Sequence, residues 1–211
     1  MEIDRPPPGG EFNAGPVTAP RQAASVILLR GGSAALELLL VQRNPAQRFM
    51  GGFWVFPGGA VDAHEGEGDA AHRSAGVREL AEEAGVEGVT AQELVKFSRW
   101  ITPPEVTVRF DTHFFLARAP EGVQARCDGE ECVDLRWASP RGALEAHEAG
   151  DLALVFPTIK HLEQLAGFSS ADALLEHARG REVLAVEPRV VLTGEKARVL
   201  LPGEPGYEDG P

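Results

Sequence analysis

The feature that most constrains this chain is the segment from Asp69 to Gly85, because it combines a helical pattern with a dense group of carboxylates. We predict a helix over 69–84, and the glycine that follows would end it. Apolar side chains share one side of this helix: Val77, Leu80, Ala81 and Ala84. Carboxylates at spacings of three and four share the other side: Glu79, Glu82 and Glu83.

The acidic side of this helix has two interpretations. Like charges at this spacing cost an isolated helix only about 0.2–0.5 kcal/mol per pair, so a solvated acidic surface is energetically acceptable. Alternatively, carboxylate oxygens that converge from one helix form a site for Mg²⁺ or Mn²⁺, which prefer oxygen ligands. Such a metal ion would then bind phosphate oxygens. The helix pattern alone leaves both interpretations open.

Strand-like segments precede and follow the helix, which indicates an α/β fold. Apolar or alternating runs predict strands at 23–30, 35–43, 53–56, 95–100, 112–117 and 133–137. Three more helices are expected at 139–149, 157–166 and 169–178, the last with Ser169 as its cap. Residues 186–201 resemble a hairpin that turns near Gly194.

We expect one main domain at 21–180, a flexible tail at 1–20 and an extension at 181–211. The tail contains Pro6 to Gly10 and Gly15-Pro16, which disfavour regular structure. No role for the extension follows from its sequence.

Composition excludes several classes of protein. Hydrophobic residues make up 43% and charged residues 25%, as in ordinary globular proteins. The formal net charge of -12 argues against a broad nucleic-acid-binding surface, so local cations must bind any anionic substrate. Only Cys127 and Cys132 are present, which is typical of a reducing compartment. With no signal pattern and no apolar run long enough for a membrane span, we expect a cytoplasmic protein.

The stretch from Arg78 to Val86 resembles the second half of the Nudix box, Arg-Glu-hydrophobic-x-Glu-Glu-x-Gly-hydrophobic, at every position. The first half of the box also fits, because five residues separate Gly59 from Glu65. The resemblance implies the Nudix fold, an α/β/α sandwich around a mixed sheet, here with extra C-terminal helices and a terminal hairpin.

The spacing inside the box departs from the family pattern. Twelve residues lie between Glu65 and Arg78, more than the family usually has. At the usual spacing Arg78 would meet Ala70, whose side chain accepts no hydrogen bond. We therefore expect Glu65 or Glu67 to support the arginine instead.

The resemblance also implies roles, position by position. Glu82 and Glu83 would ligate the metal ion, with the Gly59 carbonyl as an additional ligand. Glu79 would ligate a further metal ion or act as the base. Arg78 would orient the carboxylates through bidentate hydrogen bonds.

Members of the family often take another acidic ligand from the loop before a late strand that ends in Trp. Glu131 and Glu130 are the candidates here, because they precede the strand that ends at Trp137. Alternatively, both are ordinary loop charges. The implied reaction is attack on phosphorus by a water molecule that Mg²⁺ or Mn²⁺ activates. The implied partner is a small nucleotide-type substrate, with no nucleic acid or membrane, and a homodimer is one expected assembly.

A second pattern precedes the box and resembles the coenzyme A pyrophosphatase signature within the Nudix superfamily. The residues in register are Arg43, Arg48, Gly52, Phe56, Pro57, Gly58 and Gly59. Val41 and Asn44 depart from the signature. The two arginines would supply the local cations that coenzyme A phosphates need on an acidic protein. Alternatively, they are ordinary strand-end and loop charges.

Two later stretches, 99–103 and 109–116, resemble peroxisomal Nudix hydrolases that cut coenzyme A and its acyl esters, and that subfamily tolerates an insertion in the box. Trp100, Phe110 and Phe115 would then line an adenine or acyl pocket, unless they belong to the core. His64 and His113 have no metal-ligand partners at recognisable spacing, so we expect structural or exposed positions for them.

The expected function is cleavage of coenzyme A or acyl-coenzyme A to 3′,5′-ADP and (acyl-)phosphopantetheine. One alternative keeps the chemistry but takes ADP-ribose, NADH or an oxidised nucleotide as substrate. Another is a nucleotide sensor without catalysis, which the lengthened loop favours and the intact trio of glutamates disfavours. A third treats the acidic helix as an interaction surface, in which case Mg²⁺ would not raise the melting temperature.

Overall fold

The computed structural model describes residues 2–3, 11–13, 15–193 and 196–208. The strands are β1 (Glu2–Ile3), β2 (Arg21–Arg30), β3 (Glu37–Arg43), β4 (Trp54–Val55), β5 (Gly58–Ala60), β6 (Val95–Ile101), β7 (Phe110–Arg118), β8 (Cys132–Ala138), β9 (Ala185–Val186), β10 (Arg189–Thr193) and β11 (Lys196–Leu200). The helices are α1 (Gly68–Ala84), α2 (Pro140–Glu148), α3 (Phe156–Leu165) and α4 (Ala171–Ala178), with a short 3₁₀ turn at Ala63–Glu65.

The main sheet is mixed, as expected. Its strand order is β4-β3-β2-β7-β6-β9, with β5 paired to β2 and β8 paired to β3. The pairs β2–β7 and β6–β9 are parallel, and the other pairs in this sheet are antiparallel. The long parallel ladder between β2 and β7 lies in the middle of this sheet, where residues 23–29 of β2 and 115–117 of β7 are buried.

Helices cover both faces of the main sheet. Because side chains alternate along a strand, Val26 and Leu28 of β2 pack in a cluster with α1, whereas Ile27 and Leu29 pack in a cluster with α3 and α4. The result is the α/β/α sandwich that the Nudix resemblance implies, with three helices after β8 as predicted.

Two sequence predictions differ from the structure in detail. The cap of α4 is Ser170 rather than Ser169, because the Ser170 hydroxyl accepts a hydrogen bond from the Ala173 amide. The strand predicted at 53–56 is confined to β4, because Phe53 already belongs to a turn in which its amide bonds the Met50 carbonyl.

A second, smaller sheet has the order β1-β11-β10, and we call it the terminal sheet. Its β10–β11 ladder is the expected hairpin, although Gly194 lies outside the described residues. Parts of the stretch predicted to be a flexible tail are also hydrogen-bonded. Phe12 forms a bridge with Val106, and β1 pairs with β11. Backbone pairing does not need apolar side chains, so a composition rich in Pro and Gly does not reveal it.

None of the helices in the described ranges is long and apolar enough to cross a membrane.

Candidate functional site

Helix α1 places the acidic cluster against the main sheet. Its apolar side is buried through Ala75, Leu80 and Ala84, while Val77 and Ala81 are half-buried. The helix ends as predicted at Gly85, which has φ of 60° and donates its amide to the Ala81 carbonyl. Glycine adopts this left-handed conformation without the Cβ penalty of other residues.

The glycine pair that precedes the 3₁₀ turn lies directly against the carboxylates. A Cβ on Gly59 would lie 2.2 Å from Oε1 of Glu79. The Gly58 amide donates a 2.9 Å hydrogen bond to Oε2 of Glu83. A side chain on Gly59 would displace the Glu79 carboxylate, and a Cβ on Gly58 would lie 2.4 Å from the Ala24 carbonyl oxygen of β2, so both positions favour glycine.

The three glutamates do not share one environment. Glu83 and Glu79 are buried, with exposures of 2% and 9%, whereas Glu82 is exposed. Burial raises the pKa of Glu83 to about 7, although the Gly58 amide and the Arg43 guanidinium lower it. Burial also raises the pKa of Glu79, and the charge of Arg78 opposes that shift. Spacings of three and four thus place two carboxylates inward and one outward.

Arg78 connects the box residues to one another. Its guanidinium donates to Glu79 at 2.7 Å, to Glu82 at 2.8 Å and to the Ala60 carbonyl at 2.9 Å. It also donates to Glu65 at 3.2 Å and 3.3 Å. Burial lowers the pKa of Arg78, but these bonds outweigh burial and raise the pKa above its ordinary value, so the guanidinium is permanently charged.

The additional residues in the box are absorbed by the 3₁₀ turn and a long α1. The turn is closed by the Asp62 amide, which donates 2.7 Å to Glu65 and aims that carboxylate at Arg78. Of the two expected partners, Glu65 contacts the arginine. Glu67 instead occupies the N-cap position of α1, without a side-chain cap bond, and Ala70 lies in the first turn of the helix.

Arg43 reaches the acidic cluster from β3. Its guanidinium donates to Glu83 at 3.3 Å and to the Phe49 carbonyl at 3.2 Å. The loop that follows returns to β3, because the Gly52 amide donates to the Arg43 carbonyl at 3.0 Å. Gly52 has φ of 81°, which favours glycine.

Arg48 does not join Arg43 at the cluster. It is exposed on the loop between β3 and β4, and neither Arg48 nor Gly52 lines the cavity described next. Of the three residues expected to bind substrate, the structure thus brings only Arg43 to the carboxylates.

One cavity of about 450 Å³ begins at the acidic cluster. Arg43, Gly59, Glu79 and Glu131 line it at that end. Glu131 also raises the pKa of Glu79 through its charge. Glu130, the other candidate in this loop, does not line the cavity. It accepts a hydrogen bond from Asn44 only through its backbone carbonyl.

The rest of the cavity is largely apolar. Trp100 and Phe110 line it, as the pocket hypothesis expected, but Phe115 does not. Phe115 is fully buried in the cluster beneath α1, because alternate residues of β7 face opposite sides of the sheet. Phe114, which no sequence pattern identified, lines the cavity instead.

The extension also contributes to the cavity, which was not predicted from the sequence. Pro188, Val190, Ala197 and Val199 line the cavity from β10, β11 and the segment before them. The alternation along β11, where Arg198 is exposed between two buried residues, indicates that one face of this strand is covered. It does not state which apolar surface the strand covers.

The histidines discussed next are either exposed or packed against other side chains. His64 is exposed, 3.8 Å from Asp62. His113 stacks on His72 with ring centroids 3.9 Å apart, and burial lowers the pKa of His113 to about 4. His161, which no sequence pattern identified, is 1% exposed and accepts or donates a 2.6 Å hydrogen bond with the Ser98 hydroxyl.

The donor set suits a hard cation in its chemistry, since two buried carboxylates lie side by side next to a glycine backbone. As they stand, however, no three acidic, His or Cys side chains within the described ranges are grouped so as to hold a metal ion. Glu82 is bonded to Arg78, and Glu131 extends from an exposed loop.

Comparison with known proteins agrees with this architecture. The NUDIX domain family profile matches residues 19–157. The human (Homo sapiens) acyl-coenzyme A diphosphatase NUDT19 is 26% identical over 89% of this chain and 80% of its own length. CTP pyrophosphohydrolase of Escherichia coli is 33% identical over 59% of this chain and 79% of its own.

A solved structure supports the same assignment. The NUDIX hydrolase from Alicyclobacillus acidocaldarius superimposes with a TM-score of 0.66 at 27% identity, covering 76% of this chain and 97% of that one. The box sequence, the sandwich fold and these similarities agree, so the chain belongs to the NUDIX domain family and is a Nudix pyrophosphohydrolase.

Proposed function

We propose that this enzyme cleaves coenzyme A or acyl-coenzyme A to 3′,5′-ADP and (acyl-)phosphopantetheine, with Mg²⁺ or Mn²⁺ as cofactor. The observation that carries the proposal is the cavity, which joins the Arg43, Gly59 and Glu79 end to a long apolar end. A diphosphate that carries an extended, partly apolar substituent matches this cavity. Its phosphates would lie at the charged end and its substituent at the apolar end. The similarity to human acyl-coenzyme A diphosphatase supports the same substrate class.

The metal ion would be held by Glu79, Glu82, Glu83 and Glu131 and by the Gly59 carbonyl. When bound, it would neutralise the diphosphate and lower the pKa of a water molecule. Glu82 accepts the 2.8 Å bond from Arg78 through Oε2, which leaves its other carboxylate oxygen to ligate the ion.

The side chains around the ligands have distinct tasks in this proposal. Where Glu79 does not ligate a further metal ion, it would accept the proton of the attacking water, since it is buried and lines the cavity. Arg78 is a positioning residue, because its fork holds Glu79, Glu82 and Glu65. Arg43 positions Glu83, and its charge favours a phosphate nearby.

Arg48 and Gly52 have tasks outside the cavity. Arg48 lies on the exposed loop that follows β3, where a guanidinium would attract the phosphates of an approaching substrate. The positive φ of Gly52 lets that loop return to Arg43.

The test is to incubate the purified protein with coenzyme A and Mg²⁺ and to measure 3′,5′-ADP. We expect product from the wild type and from Glu121→Gln, a control on an exposed loop. Glu83→Gln should abolish the product. Unchanged coenzyme A and acyl-coenzyme A with the wild-type protein would refute the proposed substrate.

A second candidate is hydrolysis of a nucleotide such as ADP-ribose, NADH or an oxidised nucleotide. The observation in its favour is the 33% identity to the E. coli CTP pyrophosphohydrolase. Parallel assays of these compounds, compared by kcat/KM with coenzyme A, distinguish the two. Tight binding without metal-dependent turnover of any of them would favour a sensor instead.

A further inference from the structure

The terminal sheet covers one side of the cavity. Val190 of β10 and Val199 of β11 are cross-strand partners, and both line the cavity together with Ala197. Val199 is 6% exposed and Ala197 is 4% exposed, whereas Arg198 between them is exposed. This alternation means that one face of the terminal sheet is turned towards the cavity.

Arg109 ties this region to the main sheet. It is only 8% exposed and donates to the Thr102 carbonyl at 2.9 Å and the Thr18 carbonyl at 2.8 Å. It also pairs with Glu187 at 2.7 Å. In addition, the Tyr207 hydroxyl donates a 2.8 Å hydrogen bond to the Glu187 carbonyl. These bonds fix the segment that leads into β10, so the apolar face of the terminal sheet has a defined position.

Outside the terminal sheet the lining is also mostly apolar, with Arg21, Thr102, Thr112 and Thr158 among its polar members. We use the name apolar chamber for the part of the cavity lined by Trp100, Val106, Val108, Phe110, Phe156, Val190 and Val199. Among these side chains a nucleobase would find only the indole N–H of Trp100 as a hydrogen-bond partner, so most of its polar edges would be unpaired, which costs free energy. A hydrocarbon chain has no such edges and gains from burial.

We propose that the apolar chamber binds the acyl chain of the diphosphate substrate, and that Val199 in the terminal sheet limits the chain length that fits. This inference rests on the proposed function for the identity of the diphosphate. It assigns substrate selection to a segment outside residues 19–157, which the family profile matches.

Each buried methylene contributes about 0.8 kcal/mol, or about a fourfold gain in affinity, until the chamber is full. We therefore expect affinity to rise from coenzyme A through butanoyl- to octanoyl-coenzyme A. Dissociation constants are measured by calorimetry on the full chain in EDTA, where turnover is suppressed. 3′,5′-ADP formation with Mg²⁺ is assayed separately.

Val199→Trp fills the chamber and should remove the gain with chain length while leaving the affinity for unacylated coenzyme A within about twofold of the wild type. The matched control is Leu184→Trp, because Leu184 is 72% exposed and does not line the cavity. It should behave as the wild type. Val199→Ala enlarges the chamber and is less disruptive to folding. In this variant the acyl chain that binds with the highest affinity should be longer than in the wild type.

Equal affinities for acylated and unacylated coenzyme A would overturn the inference, even if coenzyme A is cleaved. So would a chain-length dependence that neither Val199 variant alters, since the chain would then bind elsewhere. If affinity rises with chain length and depends on Val199, the inference holds. In that case a lack of 3′,5′-ADP would refute only the proposed reaction.

Discussion

His161 offers a direct test of the core that supports the cavity. The rings of Phe97 and Phe114 lie against its imidazole, with centroids 5.9 Å and 4.3 Å away, and Ser98 bonds to it. Burial lowers the pKa of His161 from 6.5 to about 4. The folded state therefore holds a neutral imidazole where an unfolded chain would bind a proton.

The sign of the pH dependence follows from proton linkage. Between pH 6.5 and 4 the unfolded state binds more protons at this residue, so the free energy of unfolding falls as pH falls. With these two pKa values, His161 should account for a loss of about 2 kcal/mol between pH 7 and pH 5. The stabilisation that the folded state gains by keeping His161 neutral is fully present above the ordinary histidine pKa of 6.5.

The perturbation is His161→Gln, which stays neutral at all pH values and keeps groups that can bond to Ser98. Unfolding by urea at pH 7, 6 and 5 gives the free energies. The wild type should lose about 2 kcal/mol more than the variant across this range. His113 acts in the same direction, because its pKa is also lowered to about 4, but it contributes equally to both proteins.

His64→Gln serves as the control, since the His64 side chain is 74% exposed. Its stability should follow that of the wild type with pH. If His161→Gln and the wild type lose the same free energy between pH 7 and 5, the imidazole is not held neutral by burial. The physical description of this part of the core would then be wrong.

Three further changes test the site and its helix. Gly59→Ala brings a Cβ to 2.2 Å from Glu79 Oε1, so the Glu79 carboxylate should be displaced and kcat should fall on the order of 100-fold. A wild-type kcat would contradict the close packing of Gly59 against Glu79. Arg78→Lys keeps the charge but loses the planar fork, and kcat/KM should fall about 10–100-fold, with an unchanged value excluding the positioning role. Gly85→Ala forces a side chain into a φ of 60° and to 3.0 Å from the Arg126 carbonyl, which should lower the free energy of unfolding in urea by about 1–2 kcal/mol.

Much of the fold was predictable because local patterns and global packing agree. The spacing of Leu80 and Ala84 indicated a buried helix side, and Gly85 marked its end. The continuous apolar run of β2 indicated a strand, and in the structure this run is buried on both faces of the sheet. The box residues also lie close in sequence, so their mutual contacts follow from helix geometry.

Other features depended on contacts that a sequence does not specify. Phe115 and Phe114 differ by one position, which in a strand decides between the α1 side and the cavity. The choice of Glu65 over Glu67 required the 3₁₀ turn, which only the folded chain defines. The position of Val199 depended on a tertiary contact between segments roughly a hundred residues apart, and periodicity carries no such information.

Two of the surfaces around the cavity have separate origins in the chain. The acidic helix lies inside residues 19–157, and the terminal sheet lies outside them. Substitutions in β10 and β11 therefore alter the space offered to a ligand without changing a single bond of Arg78 or Glu83. The range of substrates can therefore change, through substitutions in this hairpin or its exchange, while the residues that carry out the reaction stay the same.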